Sequence, residues 1–213
     1  MENYKFDDLV EIMKKLRVEC PWDKEQTHKS IRRNFIEETY ECVEAIDSDD
    51  FTLMQEELGD VMLQVVFHSQ IASETDKFDI DDVCDGICKK LIYRHPHIFS
   101  DVKVSDADDV LSNWDKLKKV EKNQVSKYDV LNSVSKSLPA LIRMEKVHSK
   151  AVKEGLDNKE ISSLCDIAHD IENGNLEKIA EMVYNLTKIC KQNSIDLEQN
   201  VHKYTDNFIN SVK

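Results

Sequence analysis

Two groups of carboxylates dominate residues 37–60, EETYECVEAIDSDDFTLMQEELGD: Glu37/Glu38/Glu41 and Glu56/Glu57/Asp60. Each group contains an i, i+3 pair, Glu38 with Glu41 and Glu57 with Asp60. Acids three apart on a helix share a face. Four carboxylates brought together make an all-oxygen site. Such a set suits a hard divalent cation, Mg²⁺ or Mn²⁺ in its place, better than zinc or copper. The plainer alternative is an acidic surface turned to water. The helical positions separate the two readings.

Placed at 100° per residue, Glu38 and Glu41 lie within about 60° of each other. Ile31, Phe35, Cys42 and Ala45 share or border that arc, while Glu37 and Glu44 fall opposite, near Arg33. Glu38 and Glu41 therefore border a buried face, and Glu37 and Glu44 face water. The next segment, EELGDVMLQVVFHSQIA, is apolar nearly all round after Asp60, as expected of a helix central in a bundle. The chain reverses between Asp47 and Phe51, so the two helices run antiparallel as neighbours. That brings E38-x-x-E41 opposite E57-x-x-D60. Buried carboxylates without partners are too costly to keep ionised, and a divalent cation resolves the cost.

Cationic groups follow downstream. In KKLIYRHPH, Lys90 and Arg94 are i, i+4 and precede Pro96; in NWDKLKKVEK, Trp114 and Lys118 are again i, i+4. Beside a Mg²⁺ site, a lysine point charge and a bidentate arginine suit a polyphosphate, and a tryptophan offers a face to a base. Surface charge and core packing remain the plainer readings of these four. His95 and His97 read as turn-packing residues. CPWDKEQT reads as a helix start, with Asp23 and Gln26 at capping spacing.

The elements that must carry these residues are helices. Four glycines and three prolines leave few breakers, and 3.6-residue periodicity dominates. Helices are predicted at about 4–18, 27–47, 51–74, 80–94, 107–122, 138–153, 160–172, 175–193 and 196–212. Ser105 is placed to cap the fifth, and Asp49 and Asp50 to open the third. The polar stretch 123–137 reads as a linker between a first domain, 1–122, and a second, 138–213. The second resembles a faded copy of the first: with Asp79 aligned on Asp196, Lys90 falls on Asn207 and Arg94 on Ser211, and after a four-residue gap Asp60 falls on Glu181 and Glu57 on Lys178.

Composition narrows the function. The net charge of −13 disfavours nucleic acid as a partner. The sequence holds no long apolar run, which argues against a membrane span, and its N-terminus lacks the pattern of a secretory signal. The six cysteines form no C-x-x-C pair and read as reduced, mostly buried thiols of a cytoplasmic protein.

Taken in order, CPWDKEQTHKS, EETYECVEAI, EELGDVMLQVVFH, KLIYRHPHIF and NWDKLKKVEK resemble the MazG family of nucleoside triphosphate pyrophosphohydrolases over residues 5–122. The resemblance implies an all-α fold in an intertwined homodimer. It implies Mg²⁺-dependent hydrolysis of nucleoside triphosphates to monophosphate and pyrophosphate; nucleotide-pool house-cleaning is a further reading of that activity. It assigns metal binding to Glu38, Glu41, Glu57 and Asp60, and nucleotide contacts to Lys90, Arg94, Trp114 and Lys118. Full-length members resemble two such domains in tandem. Here the second copy offers Asp166, His169, Lys178 and Glu181 in place of four carboxylates, so it is expected to be structural and non-catalytic. The alternative function is a nucleotide-binding regulatory module with little turnover.

Overall fold

The computed structural model describes residues 3–122, 124–156 and 163–212. Among these the chain is helical, with no strand. It forms two compact units, 1–110 and 111–213. No helix among the described residues is long and apolar enough to cross a membrane.

In the first unit, α1 (Phe6–Glu19), α2 (Arg32–Asp47) and α4 (Ile80–Arg94) all pack on α3 (Phe51–Ser73), with a one-turn helix, α5 (Pro96–Phe99), after α4. The centrality expected for α3 is therefore observed. Met13 of α1, Ile31 and α3's Val66 and Phe67 form the core, joined by Leu9, Val10, Leu63, Ile71 and Ile80. Arg17, its side chain only 7% exposed, ties this unit together. Its guanidinium donates to both oxygens of Glu74, at 2.7 and 2.5 Å, and to the carbonyls of Asp23 and Gln26.

The helix starts follow local chemistry. Asp50 caps α3, its Oδ1 accepting from Thr52 and Leu53 N–H at 3.0 Å each. Asp49, just before it, takes the left-handed conformation (φ 54°) that reverses the chain. The second helix starts at Arg32, later than the predicted 27. Thr27 and Ser30 instead bond each other's backbone N–H, at 2.8 and 3.2 Å, and Ser30 Oγ donates to Gln26 Oε1. Such side-chain bonds compete with the helix ladder. Asp23 opens a 3₁₀ turn (Asp23–Glu25) without a side-chain cap bond, so its expected capping role is not observed.

The second unit begins within α6 (Ala107–Glu121). Asp106, one residue past the predicted Ser105, accepts the Asp109 N–H at 2.9 Å and caps this helix. A short helix, α7 (Lys127–Asn132), occupies part of the stretch read as a linker, with Ser126 and Asp129 forming a capping box. Then α8 (Ala140–Lys153), α9 (Leu164–Glu172) and α11 (Leu197–Ser211) pack on α10 (Lys178–Gln192). Each unit is thus one central helix met by three others, and the boundary between the units falls at 110/111, before the stretch 123–137 read as a linker. The predicted helix at 160–172 begins at Leu164; residues 157–162 lie outside the described residues. The cysteines are all free, but only Cys42 is buried. Cys84, Cys88 and Cys165 are exposed, correcting the expectation of mostly buried thiols.

Candidate metal centre

The antiparallel α2–α3 hairpin brings the two acid pairs face to face. Glu38, Glu41 and Glu57 each offer a carboxylate oxygen, and the three oxygens lie within 4.8 Å of one another. Asp60 stands one turn beyond Glu57 on α3 and is not part of that trio. None of the four pairs with a cationic side chain among the described residues. Glu57 Oε2 is shut off from solvent and accepts no hydrogen bond.

The electrostatics record the crowding. Burial holds the Glu38 carboxyl above the ordinary glutamate range, and the charges of Asp60, Glu41, Glu57 and Glu37 add to it. Glu57 is likewise pushed up, first by desolvation and then by Glu41, Asp60 and Glu56. Like charges that raise each other's proton affinity also attract a shared cation. Three converging carboxylates, one with an orphaned oxygen, have the donor chemistry of a hard-cation site, so the residues fit Mg²⁺ or Mn²⁺. By contrast Glu37 pairs with Arg33 at 2.8 Å on the exposed side of α2, as the helical wheel indicates.

The basic residues stand as follows. Lys90 is exposed on α4 and Arg94 is buried near the end of the same helix. His95 closes that turn, its Nδ1 lying 2.7 Å from the Leu91 carbonyl, and its ring stands 5.6 Å from that of His97. Trp114 and Lys118 belong to the second unit and meet each other, with Lys118 Nζ 4.6 Å from the Trp114 ring centroid. Lys150 of α8 has its proton affinity lowered, chiefly by burial and then by Lys118 and Lys122.

The second hairpin lacks the trio. Lys178 and Glu181 neutralise each other at 2.7 Å, while Asp166 and His169 are exposed on α9.

Sequence reasoning left two features unassigned. Arg17 anchors a residue 57 positions away, and no local pattern announces such a bond. His28 and His68, 40 positions apart, meet Nδ1 to Nδ1 at 2.8 Å, and Phe35 lies against His68.

Comparison with known proteins follows the same lines. The family model described as the MazG nucleotide pyrophosphohydrolase domain matches residues 26–99. The uncharacterized protein YabN of Bacillus subtilis is 51% identical over 146 residues, 68% of this chain and 30% of that protein. A nucleoside triphosphate pyrophosphohydrolase of Escherichia coli is 38% identical over 181 residues, 84% of this chain and 66% of that one. The nucleoside triphosphate pyrophosphohydrolase/pyrophosphatase MazG of Thermotoga maritima is 34% identical over 219 residues, 98% of this chain and 84% of that protein. The chain thus spans less than two thirds of the first two relatives.

Proposed function

Because the chain belongs to the MazG nucleotide pyrophosphohydrolase family, we propose that it is a Mg²⁺-dependent nucleoside triphosphate pyrophosphohydrolase. It releases pyrophosphate and a nucleoside monophosphate and serves nucleotide-pool house-cleaning in the cytoplasm. The observation that carries this reading is the trio of unpaired carboxylates within 4.8 Å.

We assign the cation to Glu38, Glu41, Glu57 and Asp60. When bound, Mg²⁺ supplies charge to the phosphoryl oxygens and acidity to water. The chain's own residues do the rest. Glu38 orients the attacking water. Lys90 meets phosphate oxygens as a point charge and Arg94 meets them as a fork. Water forms one new P–O bond as the anhydride P–O bond breaks, so no covalent enzyme intermediate is involved.

The active form in this reading is a homodimer. Ile36, Tyr40 and Val43 form an exposed apolar face on α2, and Leu58 and Met62 form another on α3. A second copy covers these faces. Light scattering after gel filtration checks this, with twice the 24.7 kDa chain mass expected.

The test of the reaction is a panel of NTPs and dNTPs incubated with the protein in Mg²⁺ and in EDTA, with products quantified. The reading expects pyrophosphate and monophosphate in Mg²⁺ only. Orthophosphate with diphosphate overturns the reaction assignment. Metal-dependent nucleotide binding without turnover favours the regulatory module instead.

A further inference from the structure

We propose that Gln64 is a positioning residue of the acid cluster: its side-chain oxygen accepts a hydrogen bond from a water on the cation held by Glu38, Glu41 and Glu57. This rests on the reading of that cluster as a divalent-cation site.

Gln64 is 5% exposed, and its Oε1 is buried without a donor. A buried amide acceptor left without a donor is destabilising. Other buried polar residues of the central helices satisfy themselves: Ser69 Oγ donates to the Val65 carbonyl and Thr187 Oγ1 to the Val183 carbonyl, at 2.8 and 2.9 Å. On the next turn of α3, His68 already has His28.

Position supplies the direction. Gln64 follows Asp60 by four residues and Glu57 by seven, so all three share one face of α3. Helical side chains lean toward the N-terminus of their helix, and a long side chain at 64 therefore reaches back toward Asp60 and the cluster. The antiparallel α2 leans its side chains the opposite way, which brings Glu38 toward the Gln64 level.

The second unit offers an internal control. Aligning Asp60 with Glu181 sets Gln64 on Asn185. Asn185 is also buried; its Nδ2 donates to the Glu181 backbone carbonyl at 3.0 Å, and its Oδ1 is not left both buried and without a donor as Gln64 Oε1 is. Where the neighbouring carboxylate is neutralised by Lys178, the amide closes on its own helix. Where the carboxylates stand unpaired, the amide oxygen is left open.

The experiment titrates the full chain with Mn²⁺, following free Mn²⁺ by EPR, in the wild type, Gln64→Met, Gln64→Glu and Glu57→Gln, with metal-free thermal melts of each. Groups that hold a metal's ligands in place typically contribute 10–100-fold to affinity, so Gln64→Met is expected to bind Mn²⁺ about 10-fold more weakly. Without metal it melts at or above the wild type, because an unpaired acceptor has gone. Gln64→Glu keeps an acceptor: it binds at least as tightly as the wild type and melts lower without metal. A residue with a merely structural role moves stability and affinity together, and that result overturns the proposal. Gln64→Met binding like the wild type while Glu57→Gln fails also overturns it, and leaves the cation site standing. Wild type binding no better than Glu57→Gln overturns the cation site itself, and the role of Gln64 with it.

Discussion

The hairpin of α2 and α3 and the hairpin of α9 and α10 use one packing plan with opposite charge logic. In the first, Glu38, Glu41 and Glu57 converge with no cationic side chain among the described residues to meet them. In the second, the positions aligned with Glu57 and Asp60 are Lys178 and Glu181, which form an ion pair at 2.7 Å. The second hairpin demonstrates that the scaffold does not need the acids. A packed helix pair that keeps like charges together gives up stability unless a ligand compensates. On the proposed reading, that difference assigns the cation to the first hairpin.

The same contrast recurs between the helices that flank each centre. Arg17 joins α1 to the end of α3 through Glu74 with its side chain buried, whereas Glu145 of α8 meets Lys191 of α10 at 2.8 Å in the open.

Activity should separate the hairpins most sharply. Glu38→Ala and Glu41→Ala are each expected to cut pyrophosphate release at least ~100-fold, the upper end of what a ligand's supporting partner contributes. Glu181→Ala leaves it unchanged. Equal losses on both sides, in a coupled pyrophosphate assay, break the comparison.

Stability comes next. Arg17→Ala removes one donor from the Asp23 carbonyl, which keeps the Gln26 N–H, and the guanidinium from the Gln26 carbonyl and from Glu74, a cost of about 2–3 kcal/mol in urea unfolding. Lys191→Ala removes an exposed pair, worth below about 1 kcal/mol. The Arg17 bond also has a pH signature. Its hydrogen bond holds the Glu74 carboxyl below the ordinary glutamate range. Stability from this pair is therefore present above that range and is lost as pH falls through the lowered value. Glu74→Gln flattens that acid limb.

The acid cluster carries the opposite sign. Glu38 and Glu57 titrate above the ordinary range, so metal-free protein loses stability as pH rises from the ordinary glutamate value through the raised one. Glu57→Gln is expected to reduce that loss and to raise the metal-free melting temperature near neutral pH. An unchanged melting curve contradicts the repulsion. Smallest of all is Lys178→Ala, which breaks a single i, i+3 pair and moves the melting curve little.

Much of this was legible in the chain. The helix at Ile80–Arg94 matches its reading at 80–94, because Asp79 begins a capping box and Pro96 ends the run. The Glu38/Glu41 and Glu57 convergence follows from i, i+3 spacing and one short turn. What was not legible depends on competition or distance. The late start of α2 comes from Thr27 and Ser30 preferring each other, a contest that periodicity does not weigh. The helix at Lys127–Asn132 hid in a polar stretch, although Ser126 and Asp129 carry a capping signature. Arg17 with Glu74, and His28 with His68, are tertiary meetings with no trace in local spacing.

The most direct test gives the first hairpin the charge of the second. In Glu57→Lys, the introduced cation stands three residues from Asp60, as Lys178 stands from Glu181. Pyrophosphate release from a nucleoside triphosphate in saturating Mg²⁺ is measured beside a metal-free melt. The account predicts a folded protein that melts no lower than the wild type and releases no pyrophosphate. A folded Glu57→Lys protein that still releases pyrophosphate at the wild-type rate would contradict the assignment of the reaction to this cluster.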